Sequence, residues 1–219
     1  MRIAVADHLD CVAPEALEEA VARLPLWRRE QAMRMGHAGR RMECVFSYLL
    51  LCRLLEEEYG IGEQPSFIYG EHGKPSLSFA CSSAVLCPVH FNLSHCRKAV
   101  ACVVADCEVG IDVECLGRYG ESLARHVCNE EELTLIAACK EGADVEFTRL
   151  WTQKEAVAKL TGRGIDDGFK DILVKYSDVA LSTEIFPDGG YAVSVASECA
   201  KTTLADDVRI TLLSARQLL

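Results

Sequence analysis

The fold is decided by residues 89–113, which read VHFNLSHCRKAVACVVADCEVGIDV and contain three short apolar segments separated by polar turns. Residues 89–95 alternate between apolar and polar side chains, as a strand with one buried face does. Residues 99–104 are apolar throughout, and residues 109–113 alternate again. Short strands joined by tight turns are typical of antiparallel sheets. The stretch therefore predicts a three-stranded antiparallel meander.

Helical patterns flank this stretch on both sides. Pro14 is placed to open a helix that ends before Pro25, and residues 27–59 form a long helical pattern that the glycines at 36 and 39 divide. After the meander, residues 120–161 are helical, with Asn129 as an N-cap. Further strands are predicted near residues 2–6, 67–69, 77–79, 172–176, 180–186, 191–195 and 208–213. This order predicts an α+β fold of two similar subdomains, 1–108 and 109–219.

The charge balance excludes diffuse binding to polyanions. The chain has 219 residues and a formal net charge of -10, with 33 acidic against 23 basic side chains and no block rich in lysine and arginine. Such a surface repels nucleic acids and anionic membranes. A polyanionic ligand would need a local basic pocket, and we expect neither a nucleic-acid nor a membrane partner.

The cysteine pattern predicts reduced thiols. Twelve cysteines are spread along the chain without any C-x-x-C motif, whereas disulfide scaffolds concentrate cysteine in short secreted chains. Residues 1–10 contain Asp7 and no long apolar run, so a signal peptide is not expected. No apolar stretch approaches the roughly 20 residues of a membrane span. We therefore expect a cytoplasmic protein.

Residues 110–114, GIDVE, place two carboxylates on one face of a strand, because Asp112 and Glu114 are two residues apart. Neighbouring carboxylates repel each other unless a cation lies between them, and oxygen-rich sites suit Mg²⁺ that is shared with phosphates. An isolated D-x-E is more often a solvated strand face. The motif alone does not assign a metal.

Residues 150–160, LWTQKEAVAKL, form a helix on which Trp151, Glu155 and Lys159 share one side at spacings of four. An exposed Glu–Lys pair would contribute only about 0.3–0.5 kcal/mol. A tryptophan on the same side indicates that this side is partly buried. If it meets the D-x-E strand, a third carboxylate and an ammonium group complete a metal–phosphate site.

Two further motifs contain candidate phosphate contacts. Ser94 and His95 end the FNLSH segment and point in opposite directions, which suits separate contacts better than a catalytic relay. Gly73-Lys74-Pro75 is a turn that carries one cation. The chain has no G-x-S-x-G nucleophile elbow and no Walker A loop. A serine hydrolase and a P-loop nucleotidase are therefore disfavoured.

Together and in this order, the four motifs resemble those of the Sfp-type 4'-phosphopantetheinyl transferases. The matching residues are G-K-P at 73–75, F-N-x-S-H at 91–95, G-I-D-V-E at 110–114 and W-x-x-K-E-A-x-x-K at 151–159. The resemblance implies a monomer with a pseudo-twofold axis and an active site between its halves. It also implies transfer of the 4'-phosphopantetheine of coenzyme A to a serine of an acyl or peptidyl carrier protein, with release of adenosine 3',5'-bisphosphate.

The resemblance also implies roles for individual residues. Asp112, Glu114 and Glu155 match the Mg²⁺-binding acids, and Glu155 is placed to accept the proton of the carrier serine, directly or through water. Lys159 matches the lysine at the pyrophosphate. Lys74 and Pro75 match the turn that lies beside the adenine in this family, and Ser94 and His95 match residues that contact the 3'-phosphate. Further basic contacts to this phosphate are expected from the N-terminal helices, with Arg28 and Arg41 first and Arg34 and Arg40 as alternatives, since the sequence does not fix the register.

Two other functions stay open at this point. A non-catalytic module that binds coenzyme A or a carrier protein would keep the nucleotide contacts, although a degenerate site should have lost at least one of the three acids. A metal-dependent phosphodiesterase would use the same acids. The pathway also stays open, since carriers of fatty-acid, polyketide and nonribosomal-peptide biosynthesis all fit the motifs.

Overall fold

Helices and strands are mixed along the chain in the computed structural model, which describes residues 1–70, 73–78, 88–198 and 209–219. The strands in these ranges are β1 (Arg2–Asp7), β2 (Ser66–Tyr69), β3 (Pro75–Ser78), β4 (His90–His95), β5 (Val100–Ala105), β6 (Val109–Cys115), β7 (Ala180–Phe186), β8 (Tyr191–Ser197) and β9 (Ile210–Ser214). The α-helices are α1 (Pro14–Arg23), α2 (Leu26–Met33), α3 (Ala38–Tyr59), α4 (Glu121–Val127), α5 (Glu130–Ala138), α6 (Ala143–Thr161) and α7 (Ile172–Lys175). The predicted α+β class is confirmed.

The first sheet has the strand order β4-β5-β1-β9. Strand β1 pairs antiparallel with β5 and parallel with β9. Every residue of β5 is buried, because both of its faces are covered. Val100, Cys102 and Val104 join the core under α3, while Ala101, Val103 and Ala105 join a second core that the other large sheet completes. Burial on both faces explains the continuous apolar run of residues 99–104.

The second sheet has the order β6-β8-β7, with both pairs antiparallel. Its outer face packs against α6. Gly110 on β6 approaches the helix closely, because a Cβ atom there would lie 2.1 Å from the Ala156 carbonyl oxygen and 2.5 Å from the Leu160 nitrogen. The absent side chain therefore lets the backbones of β6 and α6 touch.

The two sheets meet where β4 lies beside β6. The backbone N–H of Ile111 donates to Asn92 Oδ1 at 3.0 Å, and that of Val113 donates to Ser94 Oγ at 3.2 Å. Side chains of β4 thus supply the hydrogen-bond acceptors that a paired strand would otherwise offer to the backbone amides of β6. Both partners advance by two residues, so the two strands run side by side in the same direction.

The predicted meander is wrong at its third strand. β4 and β5 pair as expected, but β6 pairs with β8 in the other sheet. The physical reason is that both edges of β5 are already occupied, by β4 on one side and β1 on the other. The next strand along the chain therefore has to find its backbone partner elsewhere.

The predicted strand at 172–176 is also wrong. Residues 172–175 form the short helix α7, and the residues that pack into the core are Phe169, Ile172, Leu173 and Tyr176. Their spacing of three, four and seven is helical, so burial overrides the strand preference of Ile-Leu-Val. Parts of the strands predicted at 77–79 and 208–213 lie outside the described residues.

The helix ends follow the predicted signals. Pro14 occupies the first turn of α1, and Gly60 and Gly162 end α3 and α6 in the left-handed conformation with φ of 65° and 70°. Asn129 caps α5 through a capping box, in which its Oδ1 accepts from the Glu132 N–H at 3.0 Å.

The C-terminal end of the chain returns to the first sheet. Strand β9, near the C-terminus, belongs to the first sheet beside β1. The pseudo-twofold relation and the division into 1–108 and 109–219 stay predictions. The described helices all lack the length or the apolar composition that a membrane-spanning helix needs.

Most described cysteines carry free thiols. Some of these thiols are buried in the cores and others are partly or fully exposed; the free cysteines are Cys11, Cys44, Cys52, Cys96, Cys102, Cys115, Cys128 and Cys139. Cys107 is disulfide-bonded, so the expectation of reduced thiols throughout is wrong at that position.

The contact between β6 and α6 predicts a large cost for a side chain at position 110. In urea unfolding, Gly110→Ala should lower the free energy of unfolding by about 2–3 kcal/mol, because the added methyl group meets rigid backbone. Gly39→Ala is the matched control, since nothing lies within 4 Å of a Cβ there and alanine is the better helix former. A Gly110→Ala protein as stable as the control would contradict the described contact.

Candidate active site

Asp112 is the centre of a buried polar cluster between β4, β6 and α6, and only 3% of its surface is exposed. Oδ1 accepts hydrogen bonds from Ser94 Oγ at 2.8 Å and from Lys159 Nζ at 2.6 Å. Oδ2 is buried and has no hydrogen-bond partner among the described residues. A buried carboxylate oxygen without a partner is costly, so this atom marks a position where a cation would fit.

Glu114 continues the same strand face, as the D-x-E spacing predicts. Its Oε1 accepts from Trp151 Nε1 at 3.3 Å, and its Oε2 pairs with Arg118 Nη1 at 2.5 Å. The tryptophan of α6 therefore contacts the strand that carries the acids. This contact explains why the side of α6 that carries Trp151 is partly buried, as the sequence predicts.

Glu155 lies on α6 among the other charged groups of the cluster. Burial raises its pKa to about 7, the negative charges of Asp112 and Glu114 act in the same direction, and Lys159 acts to lower it. Like charges held together in a partly buried place disfavour ionisation. Glu155 is therefore poised to exchange a proton near neutral pH.

Asp112, Glu114 and Glu155 suit a hard divalent cation for two reasons. Their donor atoms are carboxylate oxygens, and Oδ2 of Asp112 has no hydrogen-bond partner among the described residues. Within the described ranges, no group of three or more His, Cys, Asp or Glu side chains is already arranged as a metal site. Lys159 occupies part of the coordination space at Oδ1 of Asp112. The cluster thus has the ligands for a cation without the closed geometry of a structural metal site.

Lys74 and Pro75 line a small cavity of about 260 Å³ together with Glu155 and Lys159. The Lys74 ammonium is already engaged, since Nζ donates to Glu108 Oε2 at 2.6 Å and to the Leu160 carbonyl oxygen at 2.9 Å. It therefore fixes the 73–75 turn onto the C-terminal end of α6. Glu155 and the turn, which are far apart in sequence, meet in this cavity.

A larger cleft of about 1220 Å³ adjoins the small cavity, and Leu93 lines both. His95 faces this cleft, and its Nδ1 lies 3.2 Å from Glu43 Oε2 on α3. Ser94, one residue earlier, faces Asp112 instead. The opposite orientation predicted for these two side chains is what the structure has.

The cleft contains basic side chains from the N-terminal helices. Arg28, Arg34 and Arg40 line it. Arg28 is buried, and its Nη1 donates to Gln31 Oε1 at 2.7 Å. Arg41 is not among the lining residues of the described part of the chain, and its Nη2 donates to the Met35 carbonyl oxygen at 3.4 Å. The geometry favours Arg28, Arg34 and Arg40 over Arg41 as the basic wall.

Sequence reasoning missed two residues that position this cluster. Asn92 holds β6 through its side chain, and its signal in the sequence is its position two residues before Ser94, which puts both on the same strand face. Glu108 binds Lys74 and also lies 3.0 Å from His90 Nδ1. No pattern in the chain pointed to Glu108, because its partners come from distant segments.

Comparison with known proteins agrees with these motifs. The profile of the 4'-phosphopantetheinyl transferase superfamily matches residues 108–213. The 4'-phosphopantetheinyl transferase psf-1 of Bacillus pumilus is 32% identical over 142 residues, which are 64% of this chain and 58% of that protein. The 4'-phosphopantetheinyl transferase gsp of Aneurinibacillus migulanus is 31% identical over 123 residues, 53% of this chain and 48% of that protein. The chain thus spans about half the length of these two relatives.

A third relative is matched over a larger share of its length. The 4'-phosphopantetheinyl transferase AcpT of Escherichia coli strain K12 is 33% identical over 147 residues, which cover 65% of this chain and 68% of that protein. An alignment at 33% identity that covers 68% of AcpT, together with the superfamily profile that matches the second half of this chain, shows that the chain belongs to the 4'-phosphopantetheinyl transferase superfamily.

Proposed function

We propose that this chain transfers the 4'-phosphopantetheine group of coenzyme A to a serine of an apo acyl or peptidyl carrier protein and releases adenosine 3',5'-bisphosphate. The observation that carries the proposal is the buried Asp112 carboxylate beside Glu155 and Lys159, of which one oxygen has no hydrogen-bond partner in the described part of the chain. Acids and an ammonium group in a cleft suit a reaction at a charged pyrophosphate. Superfamily membership supports the same reaction.

Coenzyme A fits the two adjoining cavities. The 73–75 turn offers a wall for the adenine in the small cavity. Arg28, Arg34 and Arg40 offer positive charge for the 3'-phosphate in the large cleft, and the imidazole of His95 faces the same space. This local basic wall offsets the repulsion expected from a chain of net charge -10.

Asp112, Glu114 and Glu155 would hold Mg²⁺ with the pyrophosphate. When bound, the cation would neutralise charge on the phosphoryl oxygens. Lys159 Nζ, which donates to both Ser94 and Asp112, would donate to the departing phosphate. The attacking hydroxyl comes from the carrier, which agrees with the absence of a nucleophile elbow from the sequence.

Glu155 is proposed to accept the proton of the carrier serine. Without a cation the pKa of Glu155 is about 7. Mg²⁺ held by the same acids would offset the repulsion from Asp112 and Glu114 and keep the carboxylate ionised, so that it can accept a proton. Its position in the small cavity, beside Lys159, places it next to the proposed phosphate site. Both substrates can therefore meet at this side chain.

A monomeric, cytoplasmic enzyme is part of the proposal. The resemblance of the motifs supports the monomer. The free thiols among the described residues support a reducing compartment, to which the disulfide-bonded Cys107 is the described exception. The alternative function is a coenzyme A- or carrier-binding module without turnover. The next experiment separates the two.

Replacing Glu155 by Gln should lower the transfer rate by about 100-fold or more, because the general base is lost, while coenzyme A still binds. The measurement is the mass shift of a panel of apo-carrier proteins incubated with coenzyme A and Mg²⁺, with binding followed by calorimetry. Glu58→Gln, an exposed change on α3, is the control. Coenzyme A binding without any mass shift by the unmodified protein would favour the binding module.

The same variant should change the pH dependence of stability in metal-free buffer. The folded-state pKa of Glu155 is raised from 4.5 to about 7, so folding favours the protonated form and stability is lost as pH rises between these two values. The amide of the Glu155→Gln variant cannot ionise. At pH 8, this variant should raise the free energy of unfolding by on the order of 1–2 kcal/mol, less than the full shift implies because the side chain is partly solvated.

Urea unfolding at pH 4 and pH 8 with a chelator present checks this expectation. The variant and the unmodified protein should differ little at pH 4, where Glu155 is protonated in the folded state and largely protonated in the unfolded state. A gain of the same size at both pH values would show that the effect comes from packing and not from ionisation.

The basic wall predicts which arginine binds the 3'-phosphate. Arg40→Ala should weaken coenzyme A binding by about tenfold, since one charge-assisted contact is lost. Binding of 3'-dephospho-coenzyme A, which lacks that phosphate, should be unchanged. Arg41→Ala is the matched control because Arg41 lies outside the described cleft lining. If Arg41→Ala weakens coenzyme A binding selectively and Arg40→Ala does not, the placement of the 3'-phosphate is wrong.

A further inference from the structure

Cys96 and Cys115 continue the line of contacts between β4 and β6. The first two contacts join Asn92 to Ile111 and Ser94 to Val113. Each step advances by two residues on both segments, so the next pair in register is residues 96 and 115. Both side chains pack in the same apolar cluster and line the same cleft. The third pair in register is thus two cysteines instead of a side chain and a backbone amide.

This thiol pair is open to a small reagent from one side. Both cysteines line the large cleft, and so does Arg97 beside them. Cys96 is 8% exposed and Cys115 is partly exposed. The arginines of the cleft wall favour an anionic reagent. Neither thiol has a role in the proposed transfer reaction.

We propose that Cys96 and Cys115 form an oxidation site that reacts with anionic low-molecular-weight disulfides. One thiol loses its proton and attacks a sulfur of the reagent, which releases one thiolate and leaves a mixed disulfide on the protein. The second thiol loses its proton and attacks the protein sulfur of that mixed disulfide, which releases the second thiolate. The protein loses two hydrogens and gains a Cys96–Cys115 bond, and the reagent disulfide is reduced to two thiolates.

The bond would join the two sheets at the wall of the cleft. Disulfide sulfurs lie closer together than two thiols in contact, so oxidation draws the ends of β4 and β6 towards each other. His95 and Glu114, the neighbours of the two cysteines in the chain, also line this cleft. Oxidation should therefore reduce coenzyme A binding, a consequence that rests on the proposed function, whereas formation of the bond does not.

Oxidised glutathione is the probe for the bond. The purified full chain is incubated with it, remaining thiols are blocked with N-ethylmaleimide, and the unreduced peptides from digestion with trypsin and chymotrypsin are sequenced by tandem mass spectrometry. Fragmentation is needed to locate the bond, because the tryptic peptide with Cys115 also contains Cys107, which is already disulfide-bonded. The expected product is a peptide pair linked through Cys96 and Cys115 that is lighter by two hydrogens than the two thiol peptides and that separates after dithiothreitol. A stable glutathione adduct at either cysteine, or a link from either of them to Cys44 on the same cleft, would overturn the proposal.

Coenzyme A binding measured before and after oxidation tests the consequence. Binding should fall on oxidation and return with dithiothreitol, and Cys115→Ser should show no oxidation-dependent loss relative to its own reduced form. Cys11→Ser, which removes an exposed thiol outside the described cleft lining, should keep the full loss. An equal loss in Cys115→Ser would overturn the assignment. A linked peptide pair from a chain that neither binds coenzyme A nor modifies a carrier would support the oxidation site and reject the proposed function.

Discussion

The structure depends on how the backbone amides of β6 find partners at the edge of a sheet. One edge of β6 pairs with β8, and the other is covered by β4 without forming a strand pair. Buried N–H groups need acceptors, and Asn92 and Ser94 supply them. This requirement fixes the register between the two sheets. It also brings Ser94 within hydrogen-bond distance of Asp112.

The charged cluster is a consequence of that join and of the close contact between β6 and α6. Gly110 carries no side chain that would separate the two backbones, so Lys159 on the helix reaches Asp112 on the strand. Lys159 and Ser94 satisfy one oxygen of Asp112 and leave the other without a described partner. Glu155 lies in the same charged cluster, and its pKa is raised by burial and by its acidic neighbours Asp112 and Glu114. Such uncompensated interactions are unfavourable for folding and are typical of functional sites.

Three features of this protein follow from its amino-acid sequence: the α+β class, most helix ends and the order of the motifs that identify the superfamily. These features depend on local periodicity, on glycine, proline and capping residues, and on residue identities within short segments. The carboxylates of Asp112 and Glu114 could be placed on one strand face for the same reason. Local signals also contained the helical spacing of Phe169, Ile172 and Leu173, which the strand preference of the segment concealed.

The pairing partner of β6 is set by tertiary packing, because the occupied edges of β5 are a property of the assembled sheet. The same holds for the engagement of Lys74 by Glu108 and for the choice of Arg40 over Arg41 as a cleft residue. The contact between Lys74 and Glu108 joins segments that are distant along the chain. The choice between Arg40 and Arg41 depends on how the helix α3 is rotated about its axis. Periodicity can say that a side chain faces inward or outward, but the partner it meets is set by packing between elements.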